Sequence, residues 1–367
     1  MRMEYNHMEE LGFTEDKQTV CSATGFLSSA NSMKRMCDRF IRNGGKVFDI
    51  MMTYDSMIAF GLNREDRRSG DMLKTLVPLL KASGVTDSSV YAHFTNNRDI
   101  LPGSDVIHYM NGLMTTLIVS ESYEHHTMVI NESLNLPADG IKCTEVSFDS
   151  LDLDKQDAKK LRNMLTNIAK MDIPRISSNP VDRVQYIDQK DQRILETMDD
   201  IVGTIHESDI FYQMESIRPM GGNEKAFAVM DMRRGTGVDL DCTAYIGNNA
   251  TDYPAMDIIS DNDGLAISFN GDAYAVRGSN IAVMSPNPIT AAVLISEFYI
   301  GGMEAVFDLV NAWDRSKLSK RDHPDRHLMS ALLRTFPSKL PDVVIVNDEN
   351  VEDVIRESER YRRKLTV

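Results

Sequence analysis

The segment "AYIGNNATDYPAMD", residues 244–257, places polar side chains directly behind a short apolar run. Ala244, Tyr245 and Ile246 read as a strand ending at Gly247, with Asp252 further along the same loop. In open α/β sheets such carboxyl-end loops are where ligands are held. A metal site would want a carboxylate straight after the glycine, but that position carries the neutral amide of Asn248. Two other strand candidates end on hydroxyls: "QTVCS" on Ser22 and "TTLIVS" on Ser120. Between Ser120 and Asn248 lies "MGGNEKAFAVM", a Gly-Gly turn entering a helical pattern with Lys225 near its start. A lysine there reaches a phosphate over the strand ends, and helix N-terminal amides add partial positive charge. The chemistry suggested is anion or phosphate handling by Ser120 and Lys225, with Asp252 as a metal ligand. The competing role for these groups is structural, and an aspartate beside a helix start acts as its cap.

The elements that must position these residues follow from periodicity. "CTAYIGNN", "GLAISFN" and "SNIAVMS" are short apolar runs closed by polar or small residues, as buried parallel strands are. Leu73, Leu76, Val77 and Leu80 recur at helical spacing, with Pro78 as a kink or early stop. Leu161, Met164, Leu165 and Ile168 mark a second helix, and Ile194, Met198, Ile201, Val202 and Ile205 a third. "DIPRISSNPVD" between those two reads as a loop or hinge. "ITAAVLISEFYIGGMEAVFDLVNAW" reads as a helix interrupted at Gly301-Gly302, and "DVVIVN" as a late strand before a charged last helix. In "SYEHH", His125 and His126 point about 100° apart on a helix and cannot easily share one metal ion. The expectation is a solvated helix start.

Composition bounds the partners. The 367 residues carry 40 Lys and Arg against 55 Asp and Glu, a formal charge of -15. That excess of acid disfavours a nucleic-acid surface and binding to anionic membranes. Cys21, Cys37, Cys143 and Cys242 form no C-x-x-C, so no zinc ribbon or iron–sulfur cluster is signalled. Scattered thiols suit a reducing cytoplasm. No continuous apolar run reaches the ~18 residues of a membrane span, and the N-terminal stretch lacks a signal peptide's apolar core. A cytoplasmic protein without membrane insertion is expected.

The ordered stretches "SATGF" (22–26), "YDS" (54–56), "MLKTLVPLLKASGVTD" (72–87), "VSESYEHH" (119–126), "KCTEV" (142–146), "GGNEK" (221–225) and "GNNATDYPAMD" (247–257) together resemble the haloacid dehalogenase (HAD) superfamily of phosphohydrolases. The resemblance runs over about residues 18–285 and is closest to an archaeal branch whose methanogen members bear the name subunit R of energy-converting hydrogenase A. It implies an α/β fold, a Rossmann-like parallel sheet with inserted helical caps. The implied layout is an N-terminal arm (1–17), a core from 18–33, 106–149 and 219–346, caps at 34–105 and 150–218, and a C-terminal helix (347–367). It also implies residue roles. Ser22 stands where the family has its nucleophilic aspartate, Thr24 where it has the acid/base carboxylate, and Asn248 where it has the first metal-binding acid of the fourth motif. Ser120, Lys225 and Asp252 match.

HAD chemistry needs one carboxylate to attack phosphorus and a second to protonate the leaving oxygen. With Ser22, Thr24 and Asn248 in these positions the implied protein is a pseudoenzyme without cofactor, binding a small anionic or phosphorylated ligand or a protein partner. The alternative is a HAD-type small-molecule phosphatase with unorthodox residues, using Mg²⁺. Magnesium prefers hard anionic oxygens, so calorimetric titration is expected to give no specific heat at millimolar metal. A tight, stoichiometric isotherm would mean that other acids, such as Asp55 or Asp257, build a site.

Overall fold

The computed structural model describes residues 17–62, 64, 67–175, 177, 178, 185–321 and 323–365. Apart from Lys17, the expected N-terminal arm lies outside them. In chain order the strands are β1 (Gln18–Ser22), β2 (Thr115–Tyr123), β3 (Ile141–Thr144), β4 (Ser177–Ser178), β5 (Gln185–Tyr186), β6 (Thr243–Gly247), β7 (Leu265–Phe269), β8 (Ile281–Met284) and β9 (Asp342–Ile345). Seven of them form one mixed sheet in the order β3-β2-β1-β6-β7-β8-β9. The pairs of β1 with β2 and β6, β6 with β7, and β7 with β8 are parallel, and β9 closes the edge antiparallel to β8. Strands β1, β6, β7 and β8 are buried along their whole length. Covered on both faces, such strands read as unbroken apolar runs without alternation. The protein is thus an α/β fold with a largely parallel, Rossmann-like sheet.

By contacts the chain divides into two compact units. The first comprises residues up to Leu27, Leu101–Val119 and Lys225 onwards. There the Tyr253–Ser260 helix packs on β6 and β7. The Ile289–Asn311 helix packs on β7, β9 and the Val106–Leu113 helix. Residues Thr290 to Phe298 of that long helix are buried on every face, the signature of a central core helix. It departs from helical geometry at Gly302 (φ 65°, ψ -161°), where the glycine pair predicts an interruption. Among the described residues it is the one helix long and apolar enough to cross a membrane, although no run in the sequence met that length, and just over half of its most apolar window is buried inside the protein.

The second unit comprises Ser28–Ile100 and Ser120–Glu224. Both expected caps, 34–105 and 150–218, fall in it almost entirely, together with the 120–149 segment assigned to the core from sequence. Its helices share one apolar cluster that includes Met36, Leu76, Leu161 and Met198. Pro78 neither stops nor splits the Asp71–Ala82 helix. Its neighbours from Leu76 to Leu80 are all buried, and that packing outweighs the one missing backbone bond. Strand β2 runs on to Tyr123 rather than ending at Ser120. β4, in the expected hinge, pairs antiparallel with β5 just beyond it.

Asp55 is a buried carboxyl of this unit that accepts from the backbone N–H groups of Gly70 (2.5 Å) and Met72 (3.2 Å). Burial pushes its pKa up to about 7 despite those donors. A raised folded-state value favours the protonated form, so this contribution is fully present below the unfolded value and is lost as pH rises through about 7. Urea unfolding between pH 4 and 8 is expected to show Asp55→Asn flattening the wild-type decline by roughly 4 kcal/mol. Equal slopes would show that Asp55 does not titrate in this window.

Candidate functional site

Strand β1 ends at Ser22, fully buried and extended (φ -75°, ψ 126°). The turn that follows holds Thr24, also buried, and then Gly25 at φ +89°. A side chain at Gly25 would meet Asn248, since a Cβ there lies 1.9 Å from Asn248 Nδ2. The glycine therefore serves two physical needs, a left-handed conformation and close approach of the loops after β1 and β6. Register agrees, with Cys21 opposite Ile246. Burial, and then the charge of Asp252, push the Cys21 thiol far above its usual range, which suits a buried core residue and not a nucleophile.

Asp252 organises the loop after β6. Its Oδ1 accepts from Lys225 Nζ at 2.6 Å and from the Tyr245 hydroxyl at 2.8 Å. Its Oδ2 accepts from the backbone N–H groups of Asn248 (2.9 Å) and Asn249 (3.3 Å). Gly247 allows this curl, because a Cβ there would lie 2.6 Å from Asp252 Cβ. Asp252 makes no side-chain cap to its own helix; it ties down the loop before it. Lys225, third residue of the Asn223–Thr236 helix, also donates to Thr251 Oγ1 at 3.0 Å and to Ser22 Oγ at 3.4 Å. Both members of the ion pair are fully buried. Ser22, Lys225, Asn248 and Asp252 thus converge as their strand-end and helix-start positions suggest. Lys225, however, faces an acid and not an open anion site.

Ser120 belongs to the second unit and follows Val119, the register partner of Ser22. It is buried, and its hydroxyl accepts from the Ser122 N–H at 3.2 Å. His125 and His126 are buried, contrary to the solvated helix start expected. His125 Nε2 lies 3.0 Å from Asp87 Oδ1, and His126 Nε2 3.4 Å from Asp99 Oδ1. Burial opposes ionisation of Asp87, but Ser147, two backbone N–H groups and His125 hold its carboxyl below the usual range. The histidines act as ties to opposite ends of the Asp87–Asn96 helix.

Sequence reasoning missed Asp272, Tyr245 and Thr251. Asp272 caps the Ala273–Arg277 helix through Tyr274 N and Ala275 N and also accepts from Ala250 N at 3.0 Å. Burial raises its pKa, opposed first by the Arg362 charge. The available signal was an aspartate two residues past an asparagine at a strand end, "FNGDAY", a common helix-start pattern that distinguishes no site.

The residues do not fit a magnesium ion. A carboxylate offers about four acceptor positions, and Asp252 has four donors on them. Asn248 offers a neutral amide: its Oδ1 accepts from Asn249 Nδ2 at 3.1 Å, and its Nδ2 is buried without a hydrogen-bond partner. No group of three or more His, Cys, Asp or Glu side chains able to hold a metal occurs among the described residues.

No family model matches the chain, and no curated protein does. Among solved structures it is similar to gene product AF1437 from Archaeoglobus fulgidus, with a TM-score of 0.73 and 20% sequence identity, over 95% of this chain and 96% of that one. At that identity the likeness is one of fold.

Removing one member of a buried ion pair strands the other charge, at a cost of about 3–5 kcal/mol. Lys225→Met and Asp252→Asn are each expected to destabilise the protein by that order in urea unfolding. The double variant should lose less than the sum of the two, because the stranded charge is gone. Strict additivity would show that the two groups are not coupled.

Proposed function

We propose that this chain is a HAD-like protein of archaeal type whose hydrolytic chemistry is lost and whose strand-end loops hold a small anion or a phosphorylated ligand, as a binding or assembly protein. The observation that carries the reading is the state of the loop after β6. Its one remaining acid, Asp252, is consumed by Lys225, Tyr245 and two backbone amides. The neighbouring Asn248 presents a buried amide donor without a partner. A donor of that kind favours an acceptor ligand, since an unmade buried hydrogen bond costs about 1–3 kcal/mol.

Hydrolysis is disfavoured on the same chemistry. Ser22 needs a base to become a nucleophile. Its neighbour Lys225 Nζ donates to the Ser22 hydroxyl and is paired with Asp252, an arrangement that supplies no base to the serine. Thr24 is a hydroxyl and supplies no general acid of useful pKa. The order of the motifs along the chain and the meeting of β1 and β6 loops support HAD-like descent, as does a sheet fold like that of an archaeal protein. A place beside an energy-converting hydrogenase rests on the sequence resemblance alone.

Calorimetric titration with inorganic phosphate tests the reading. Wild-type protein should bind, and Asn248→Ala should bind roughly five- to tenfold more weakly, the worth of one hydrogen bond. An aryl phosphate should not be hydrolysed with or without Mg²⁺. Turnover that Ser22→Ala abolishes would establish the phosphatase alternative and end the pseudoenzyme reading. Absence of phosphate binding would remove the anion and leave assembly alone.

A further inference from the structure

The loop that carries Asn248 is held from a second direction, by the last helix of the chain. That helix, Val351–Leu365, seats Val354 and Ile355 in an apolar cluster with Val276 and Ala282. Ser358 and Arg362 continue the same face at helical spacing. The Ser358 hydroxyl, fully buried, donates to Gly271 O at 2.6 Å. Arg362 Nη1 donates to two backbone carbonyls, Asn248 O at 2.7 Å and Asn270 O at 2.9 Å. One nitrogen thus bridges the loop after β6 to the loop after β7.

The bridge has a receiving frame on each side. Asn270 stands in left-handed conformation (φ 51°), and its side-chain amide is locked to the backbone of Ser285 through Asn270 Nδ2 to Ser285 O (2.8 Å) and Ser285 N to Asn270 Oδ1 (2.9 Å). Asp272 stitches the loops together, its N–H donating to Asn248 O at 3.0 Å and its Oδ2 accepting from Ala250 N at 3.0 Å. Arg362 also supplies the charge that most favours ionised Asp272 in its buried setting. Each aspartate at these strand ends therefore has a cation assigned to it: Lys225 for Asp252 by direct contact, and Arg362 for Asp272 through its field. Nothing in the sequence resemblance reaches Arg362, which lies past the last matching motif.

We propose that Arg362 is a positioning residue of the candidate site, and that the C-terminal helix clamps the loops after β6 and β7 and so fixes where Asn248 presents its donor. Arginine suits the task because one guanidinium nitrogen carries two hydrogens in a fixed plane, so both carbonyls are engaged in one geometry. A lysine has donors but not that planar arrangement, and a methionine has the apolar stem without donors.

Hydrogen–deuterium exchange read by mass spectrometry on the full chain tests the clamp without any ligand. In Arg362→Met, amides of 248–252 and 270–275 are expected to exchange at least about fivefold faster, while the strands β6, β7 and β8 keep wild-type protection. Arg362→Lys should recover part of that protection, which a merely bulk packing role would not produce. Ser358→Ala, a milder change, should loosen 270–275 alone, and it carries the test if Arg362→Met does not fold. Unchanged loop exchange in these variants, or equal acceleration across the whole first unit, overturns the proposal. The effect on ligand rests on the function proposed above: Arg362→Met should weaken inorganic phosphate binding about as much as Asn248→Ala does, roughly five- to tenfold. Wild-type protein that binds no phosphate removes that function and leaves the exchange result standing, whereas unchanged exchange removes the clamp alone.

Discussion

The buried ion pair between Lys225 and Asp252 is the constraint on which the strand-end architecture of the first unit depends. Both side chains are completely out of water, and a charge in that position is tolerated only with its hydrogen-bonding capacity filled. Asp252 meets this by drawing four donors around itself, two of them backbone amides of its own loop. The loop is therefore curled tightly behind β6, and Gly247 and Gly25 are glycines because the curl leaves no room for a Cβ. Lys225 in turn fixes the start of the Asn223–Thr236 helix against Thr251 and Ser22. Loop shape, helix placement and the close approach of Gly25 to Asn248 all follow from satisfying one carboxylate.

The same constraint sets the hydrogen bonding around it. Four donors, Lys225 Nζ among them, fill the acceptor positions of Asp252. One donor there, Asn248 Nδ2, has no partner, while the carboxylates of Asp252 and Asp272 accept from the backbone N–H groups around it. These loops close a largely parallel sheet whose strands β1, β6, β7 and β8 are buried along their whole length.

Much of the sheet was legible in the chain. Runs such as "GLAISFN" carry no alternation because both faces are covered, and serine, asparagine or glycine marks the ends of β1, β6, β7 and β8, though not of β2. Helices with one apolar stripe, such as the one through Leu161, Leu165 and Ile168, were equally readable. Misreadings came where burial, not local pattern, decided the outcome. Pro78 sits inside an unbroken helix because its neighbours are packed, and "SYEHH", polar to the eye, is buried because each histidine meets an aspartate.

By itself the sequence determined the buried strands around β6, β7 and β8 and the helices with a clear apolar stripe, because periodicity and turn chemistry act over a few neighbouring residues. It determined too that hydroxyls stand at Ser22 and Thr24 and a neutral amide at Asn248, since that is a matter of composition at a position. Only the tertiary structure decided that Lys225 neutralises an aspartate 27 residues away, and that an arginine 114 residues beyond Asn248 holds its carbonyl. Those partners are set by which strand lies beside which and by where the last helix docks. The free energy of such contacts comes from burial and from pairing charges out of water, and a short window of sequence contains neither.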